Sequence, residues 1–198
     1  MTILVALALY NAVRIKPLNE VKKKQDTQLF DAKAYAADFM ANKIESLPAL
    51  QVDSFLEHLG NNPTAYAQEH GKKLGISDAY HFIIEGKGSV SAIEEEYIVL
   101  GLGDGSSVAI ATDFIFGNAI RDGSGMAHID DHQNTMDFNS ISVELNNQVR
   151  ETIVPLLRDK ATMGSTLYFK GAVTIAIDQP NPSEIKIIPL RIQIINEP

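Results

Sequence analysis

Cysteine is absent from the 198-residue chain. Without a thiol there is no disulfide framework, no cysteine nucleophile, no thiolate site for zinc or an iron–sulfur cluster, and no acceptor for an N-terminal lipid. Basic charge is scarce after Gly75: residues 1–75 carry 9 Lys and Arg against 8 Asp and Glu, whereas residues 76–198 carry 8 against 17. A binder of polyanions displaces counterions from phosphates with Lys and Arg, so nucleic acid is a poor partner for the second part. The same acidic balance has a plain reading as solubility. No Ser/His/Asp order and no glycine-flanked nucleophile speaks for hydrolysis, and His58, His70 and His81 fall in ordinary helical or strand context.

Long apolar runs are missing too. The most apolar stretch, Ile3 to Val13, is interrupted at Asn11 and followed by Arg14, Lys16 and Lys22-Lys23-Lys24. It is too short to span a hydrocarbon core of roughly 30 Å, though it matches the apolar part of an export signal. Two readings stand: an export signal or anchor whose start lies upstream, or a buried element of a cytosolic protein. The first is preferred, and the lack of a small-x-small cleavage site after the run favours an uncleaved anchor on the periplasmic side of the cell envelope. The basic residues after the run pull the other way, since they tend to stay cytoplasmic; a cytoplasmic location is the alternative.

What is present is enough apolar residue, 45% of the chain, to bury one ordinary core. Residues 1–25 read as the hydrophobic anchor or clipped signal with a basic linker, residues 26–75 as a helical segment, and residues 76–198 as a β-barrel domain. Phe30, Ala34, Ala37, Ala41 and Ile44 recur at helical spacing. Asp53 caps a short helix ending at Gly60, and Pro63 opens another that stops at Gly71 or Gly75.

From Tyr80 the pattern becomes strand, strand, strand, helix, strand, strand, so the expected class is α+β: N-terminal helices followed by a five-stranded OB-like barrel. The first strand covers about Ala79 to Ile93, with Gly86 and Gly88 suggesting a bulge or sharp coil. Tyr97 to Leu102, the turn Gly103–Ser106 and Ser107 to Thr112 form a hairpin. The fourth strand puts Leu167, Phe169, Gly171, Val173, Ile175 and Ile177 on one face and Tyr168, Lys170, Thr174 and Asp178 on the other. Gln179–Pro182 turns the chain, and the fifth strand points Ile188, Leu190, Ile192 and Ile194 inward, with Pro189 marking an open edge. A helix from about Ser140, capped by Asp137, Asn139 or Ser140, plugs one barrel end with Ile141, Leu145, Val149 and Ile153; Pro155 kinks it.

Between third strand and helix lies Asp113 to Asn139, a stretch too long and too apolar for a mere linker, and the best candidate site. Within it His128, Asp130, Asp131 and His132 offer four potential metal ligands in five positions, with no helical or strand frame to aim them. Asn118, Arg121 and Asp122 form a second cluster. Arg121 can make a forked contact to Asp122, Asp137 or a ligand, an internal ion pair being preferred.

The stretches YNAVRIKPLNEVK, FDAKAYAADF, FIFGNAIRDGSG and MDFNSISVELNNQV together resemble a bacterial family of unknown function, DUF2291, the predicted periplasmic lipoproteins. The resemblance covers nearly the whole chain. It implies an envelope location and an association with carbohydrate ATP-binding-cassette import, with no reaction and no cofactor. It also carries Asn118, Arg121, Asp122, Asp137, Asn139 and Asn146 forward as site positions without assigned roles. The absent cysteine departs from the lipoprotein pattern, leaving the apolar N-terminus as the anchor. The functional expectation is a non-enzymatic, membrane-tethered protein that binds a small molecule or an envelope partner such as a sugar-transport component. The alternative is a metal-dependent hydrolase using His128, Asp130, Asp131 and His132.

Overall fold

The computed structural model describes residues 30–178 and 185–195. The chain divides into two compact units, Met1–Asp31 and Ala32–Pro198, and the barrel belongs to the second. The apolar run Ile3 to Val13 with its basic flank, and the turn at Gln179–Pro182, lie outside the described residues. Among the described residues no helix is long and apolar enough to cross a membrane.

Helix α1 (Ala32–Asn42) is followed by a two-residue strand β1 (Leu50–Gln51), α2 (Val52–Asn61) and α3 (Pro63–His70). Pro63 sits in the first turn of α3, where its missing N–H is no loss, and the Asn62 side chain accepts from the Ala65 N–H. Strands β2 (Ala79–Ile93), β3 (Tyr97–Gly101) and β4 (Ser107–Ala111) come next. Helices α4 (Ala119–Ser124) and α5 (Thr135–Gln148), a π-helical turn (Val149–Ile153) and α6 (Val154–Lys160) precede β5 (Thr166–Ala176) and β6 (Lys186–Ile195).

The sheet runs β1-β2-β3-β4-β6-β5 and closes through a further β2–β5 pairing, giving a five-stranded OB-type barrel with β1 added beside β2. β2 is the strand that permits closure. Its first part pairs antiparallel with β5 from Ala79↔Ala176 to Ser89↔Thr166, and its last residues pair with β3 across a bulge between Val90 and Ala92. The glycines predicted for that bulge do a different job. A Cβ on Gly86 would stand 2.3 Å from Val52 Cγ1, and one on Gly88 2.9 Å from Leu100 Cβ, so they let neighbours approach the strand.

The barrel interior holds Phe82, Ile84, Leu100, Ile110, Leu167, Phe169 and Ile187, joined by Phe55 and Leu59 of α2, Tyr66 of α3, Leu157 of α6 and Ala161 just after it. The expected helical plug is therefore displaced along the chain: Ile141, Leu145 and Val149 are buried, but outside this cluster. α5 also starts earlier than Ser140. Asn134 caps it, its Oδ1 accepting from the Asp137 N–H at 2.9 Å while its Nδ2 donates to Asp137 Oδ2. Pro155 does not stop the helix; the π-helical turn before it takes up the ring and the missing donor.

In β6 strict alternation fails. The register against β5 shifts between Lys170 and Gly171, where Gly171 faces Pro189 and Lys170 faces Arg191. One extra residue reverses which side chains point inward, so Ile185 and Ile187 face the interior before the bulge and Ile192 and Ile194 after it. Ile188 is left on the outer face, contrary to the expected inward set.

The outer face of the β2/β5 ribbon is largely covered as well. Lys170, expected toward solvent, is buried there: its Nζ donates to the Leu47 carbonyl at 2.8 Å and lies 3.2 Å from Glu85 Oε2. Tyr168 donates to the same carboxylate at 2.8 Å, and burial together with that bond pushes its pKa up to about 12. Lys170 thus ties the chain after α1 to the barrel wall, using an ammonium to satisfy carbonyls that have no helical partner.

Gly171→Ala tests the closeness of barrel closure. Its Cβ would meet Ile187 Cγ2 at 2.3 Å and the Ile188 carbonyl oxygen at 2.6 Å. Overpacking of this kind costs about 1–3 kcal/mol. Urea unfolding should show the unfolding free energy falling by that amount, as a lower midpoint at unchanged slope; a midpoint equal to the parent's contradicts the assigned register.

Candidate functional site

The stretch from Asp113 to Asn139 is built rather than open: it holds α4, a 3-10 turn (Ile129–Asp131) and the first turn of α5. It lies over the outer face of the β2/β5 ribbon. Gly123 approaches that ribbon closely, its would-be Cβ 3.2 Å from the Phe82 carbonyl oxygen. At the open side of this cover is a cleft of about 600 Å³, within the range of small-molecule sites.

Its floor comes from strands. His81 of β2 and Thr174 of β5 are cross-strand partners, and His81 Nδ1 lies 2.9 Å from Thr174 Oγ1. His81 Nε2 is 3.7 Å from Asp122 Oδ2. Asp122 opens onto the cleft from α4, yet its side chain is only 8% exposed. Behind it stands Arg121, 1% exposed, in a forked contact: Nε to Oδ1 at 2.7 Å and a terminal nitrogen to Oδ2 at 3.2 Å. The other terminal nitrogen donates to the Phe138 carbonyl and to Asn139 Oδ1 at 3.1 Å, and the guanidinium lies 3.8 Å from the centre of the Phe138 ring. The internal ion pair expected for Arg121 is present, with Asp122 as its partner.

The remaining wall is the strap from Asp113 to Asn118. Its residues alternate: Ile115 is buried, while Phe114 and Phe116 are 65% and 70% exposed and border the cleft. The strap is held at several points. Asp113 Oδ1 accepts from the Phe114 N–H, Arg150 donates to the Ile115 carbonyl, and Asn146 Nδ2 donates to the Gly117 carbonyl at 2.9 Å. Phe114 has φ of 50°, a left-handed conformation that a bulky side chain adopts only when its surroundings enforce it. Asn146 Oδ1 and Ser142 Oγ, one helical turn apart, are buried without a hydrogen-bond partner among the described residues.

The six site positions that the resemblance implies therefore divide. Asn118 and Asp122 line the cleft; Arg121, Asn139 and Asn146 hold its walls from behind; Asp137 belongs to the start of α5. Asn118 occupies the N-cap position of α4 but makes no side-chain capping bond, which leaves its amide to the cleft. Sequence reasoning missed His81, Thr174, Lys186 and Glu96, all of which also border it. The available signal was a His and a Thr at outward positions on strands whose neighbouring outward residues, Ile83 and Ala172, are apolar. His128, Asp130, Asp131 and His132 are spread around the 3-10 turn, with the His132 ring packed 5.7 Å from Phe138. Among the described residues no group of three or more His, Asp or Glu is placed to hold a metal. The hydrolase alternative thus lacks its frame.

Thr174, His81 and Asp122 superficially suggest an activated hydroxyl. Burial lowers the His81 pKa, Asp122 opposes the shift, and Arg121 adds to it. Asp122 is already committed to Arg121, so an imidazolium formed by taking the Thr174 proton would meet a carboxylate whose charge is matched. That makes His81 a poor general base.

Two measurements test these assignments. Arg121→Ala leaves the Asp122 carboxylate buried and unpaired, which should cost about 3–5 kcal/mol in urea unfolding; a loss under 1 kcal/mol contradicts the pairing. A lowered folded-state pKa means that the unfolded chain takes up the His81 proton first. Its contribution is intact above the ordinary value of 6.5 and declines as pH falls through that value toward the lowered one. His81→Gln should flatten the stability slope between pH 7.5 and 5.5; an unchanged slope overturns the assignment.

Comparison with known proteins places this geometry. A solved OB-fold protein from Thermotoga maritima is similar to the chain with a TM-score of 0.74 and 26% identity, over 83% of this chain and 98% of that one. No curated protein matches. The family model described as predicted periplasmic lipoprotein, DUF2291, matches residues 3–193, and the chain belongs to that family.

Proposed function

We propose that this chain is a non-enzymatic binding protein of the cell envelope whose outer-face cleft takes a small, uncharged polar molecule, and that it serves carbohydrate uptake as an accessory component. The envelope location follows the periplasmic description of the family. One observation carries the binding reading: two phenyl rings stay exposed on a strap fixed by Asp113, Arg150 and Asn146, beside a carboxylate fixed by Arg121. Burying each ring within the fold would contribute about 1.5–3 kcal/mol. Holding both outward in a defined place forgoes that gain and prepares a surface for something else.

The polar groups favour an uncharged ligand. Arg121 balances Asp122, while Glu96 and Asp113 face one ammonium, Lys186. An anion would meet the carboxylates. Acceptors on Glu96 and Asp113, donors on Lys186 and both on Asn118 and Thr174 match hydroxyl groups, and the phenyl faces match the apolar side of a saturated ring.

A thermal-shift panel of mono- and disaccharides tests the reading. A ligand at 100 times its Kd should stabilise by about 2.7 kcal/mol. Phe114→Ala combined with Phe116→Ala should weaken that ligand at least tenfold while shifting stability by less than about 0.5 kcal/mol, since both rings are exposed. A panel without any shift removes the carbohydrate version.

A further inference from the structure

The margin of the cleft carries more apolar surface than a small ligand would cover. Leu74 lines it at 44% exposure beside Phe114 and Phe116, and Ile76, two residues on, is fully exposed. A cation stands at the same margin: Lys186 lines the cleft with its ammonium 5.6 Å from the Tyr97 ring centre. Apolar tips with a lysine beside them are the composition of surfaces that dip into the lipid interface, where the tips enter the acyl boundary and the ammonium meets phosphates.

We propose that Leu74, Ile76, Phe114 and Phe116 form a lipid-contacting rim that seats this domain on a bilayer surface with the cleft mouth toward the membrane. Two features choose a bilayer over a protein partner. The family description is periplasmic lipoprotein, and the apolar run Ile3 to Val13, which from the sequence reads as an anchor in place of the missing lipidated cysteine, is separated from Phe30 by 16 residues. The four rim residues are uncharged, and Glu96 and Asp113 share the lining with Lys186, so apolar insertion rather than charge attraction carries the seating. The rim would act in this way whatever ligand the cleft takes.

The chain has no tryptophan, so a single introduced indole reports its own surroundings. Ile76→Trp places one on the rim at a fully exposed position. Met163→Trp, also at an exposed position, lies just before β5 begins at Thr166, whereas Thr174 of the cleft is eight residues along that strand, about 26 Å away. Both variants of the full chain are mixed with vesicles of three parts phosphatidylcholine to one part phosphatidylglycerol carrying brominated acyl chains. The proposal expects a blue-shifted emission and at least twofold quenching for Ile76→Trp, with little change for Met163→Trp. Adding Phe114→Ser and Phe116→Ser to the rim reporter should reverse most of the quenching. Equal quenching of both reporters, quenching of Met163→Trp alone, or bound protein with neither reporter quenched would each overturn it. A negative carbohydrate screen leaves this result untouched, and a failed vesicle experiment leaves the cleft reading untouched.

Discussion

A guanidinium sealed from water has to have its donors answered, and Arg121 meets that requirement with Asp122, the Phe138 carbonyl and Asn139 while resting on the Phe138 ring. Those partners belong to α4 and α5, so the single side chain locks the two helices together over the barrel wall. The same contact fixes the Asp122 carboxylate at the cleft. The six residues of α4 are too few to be stable alone, so its place also depends on the Lys72 ammonium, which donates to the Ser124 carbonyl at 2.7 Å, and on the buried Ile120 side chain.

The molecule then has two hydrophobic layers with different tasks. The barrel interior, with Phe82, Ile84, Leu100, Ile110 and Phe169, resembles that of any small closed barrel and gives the fold its stability. The outer layer, with Phe39, Ile83, Ile115, Ile120, Phe138, Ile141 and Ala172, fastens helices onto a face that a simpler barrel would leave wet. Polar groups trapped between ribbon and helices become precise because they are enclosed. Lys170 and Glu85 serve attachment in this way, and His81, Thr174 and Asp122 floor the cleft.

Much of the barrel was legible. β2 spans the residues that alternation and glycine placement indicate, and Tyr97 to Ala111 forms the hairpin that its glycine-rich turn announces. The failures have local causes. In β6 the bulge beside Gly171 put Ile188 on the outer face and Ile187 inside, while Ile192 and Ile194 point inward as the alternation indicates. Asn134 capped α5 ahead of the candidates because its side chain and Asp137 satisfy each other. At the candidate cleft, the Asp113 to Asn139 stretch supplies part of the lining, and Arg121 with Asp122 forms the internal ion pair read from the sequence. His81 and Thr174 left only a weak signal, two polar side chains at outward strand positions, because it is the pairing of β2 with β5 that sets them together beneath a helix distant from both in sequence.

What the amino-acid order determined by itself was local: where strands and helices form, the absence of thiol chemistry, and the acidic character that disfavours polyanions. These depend on periodicity, turn chemistry and counts, which residues carry wherever they lie. Tertiary structure alone decided that an apparent loop becomes a helical cover, that Lys170 and Arg121 are buried cations rather than surface ones, and that two phenyl rings face outward beside a fixed carboxylate. Such facts depend on which distant segments share a surface, because burial and pairing are properties of neighbours in space.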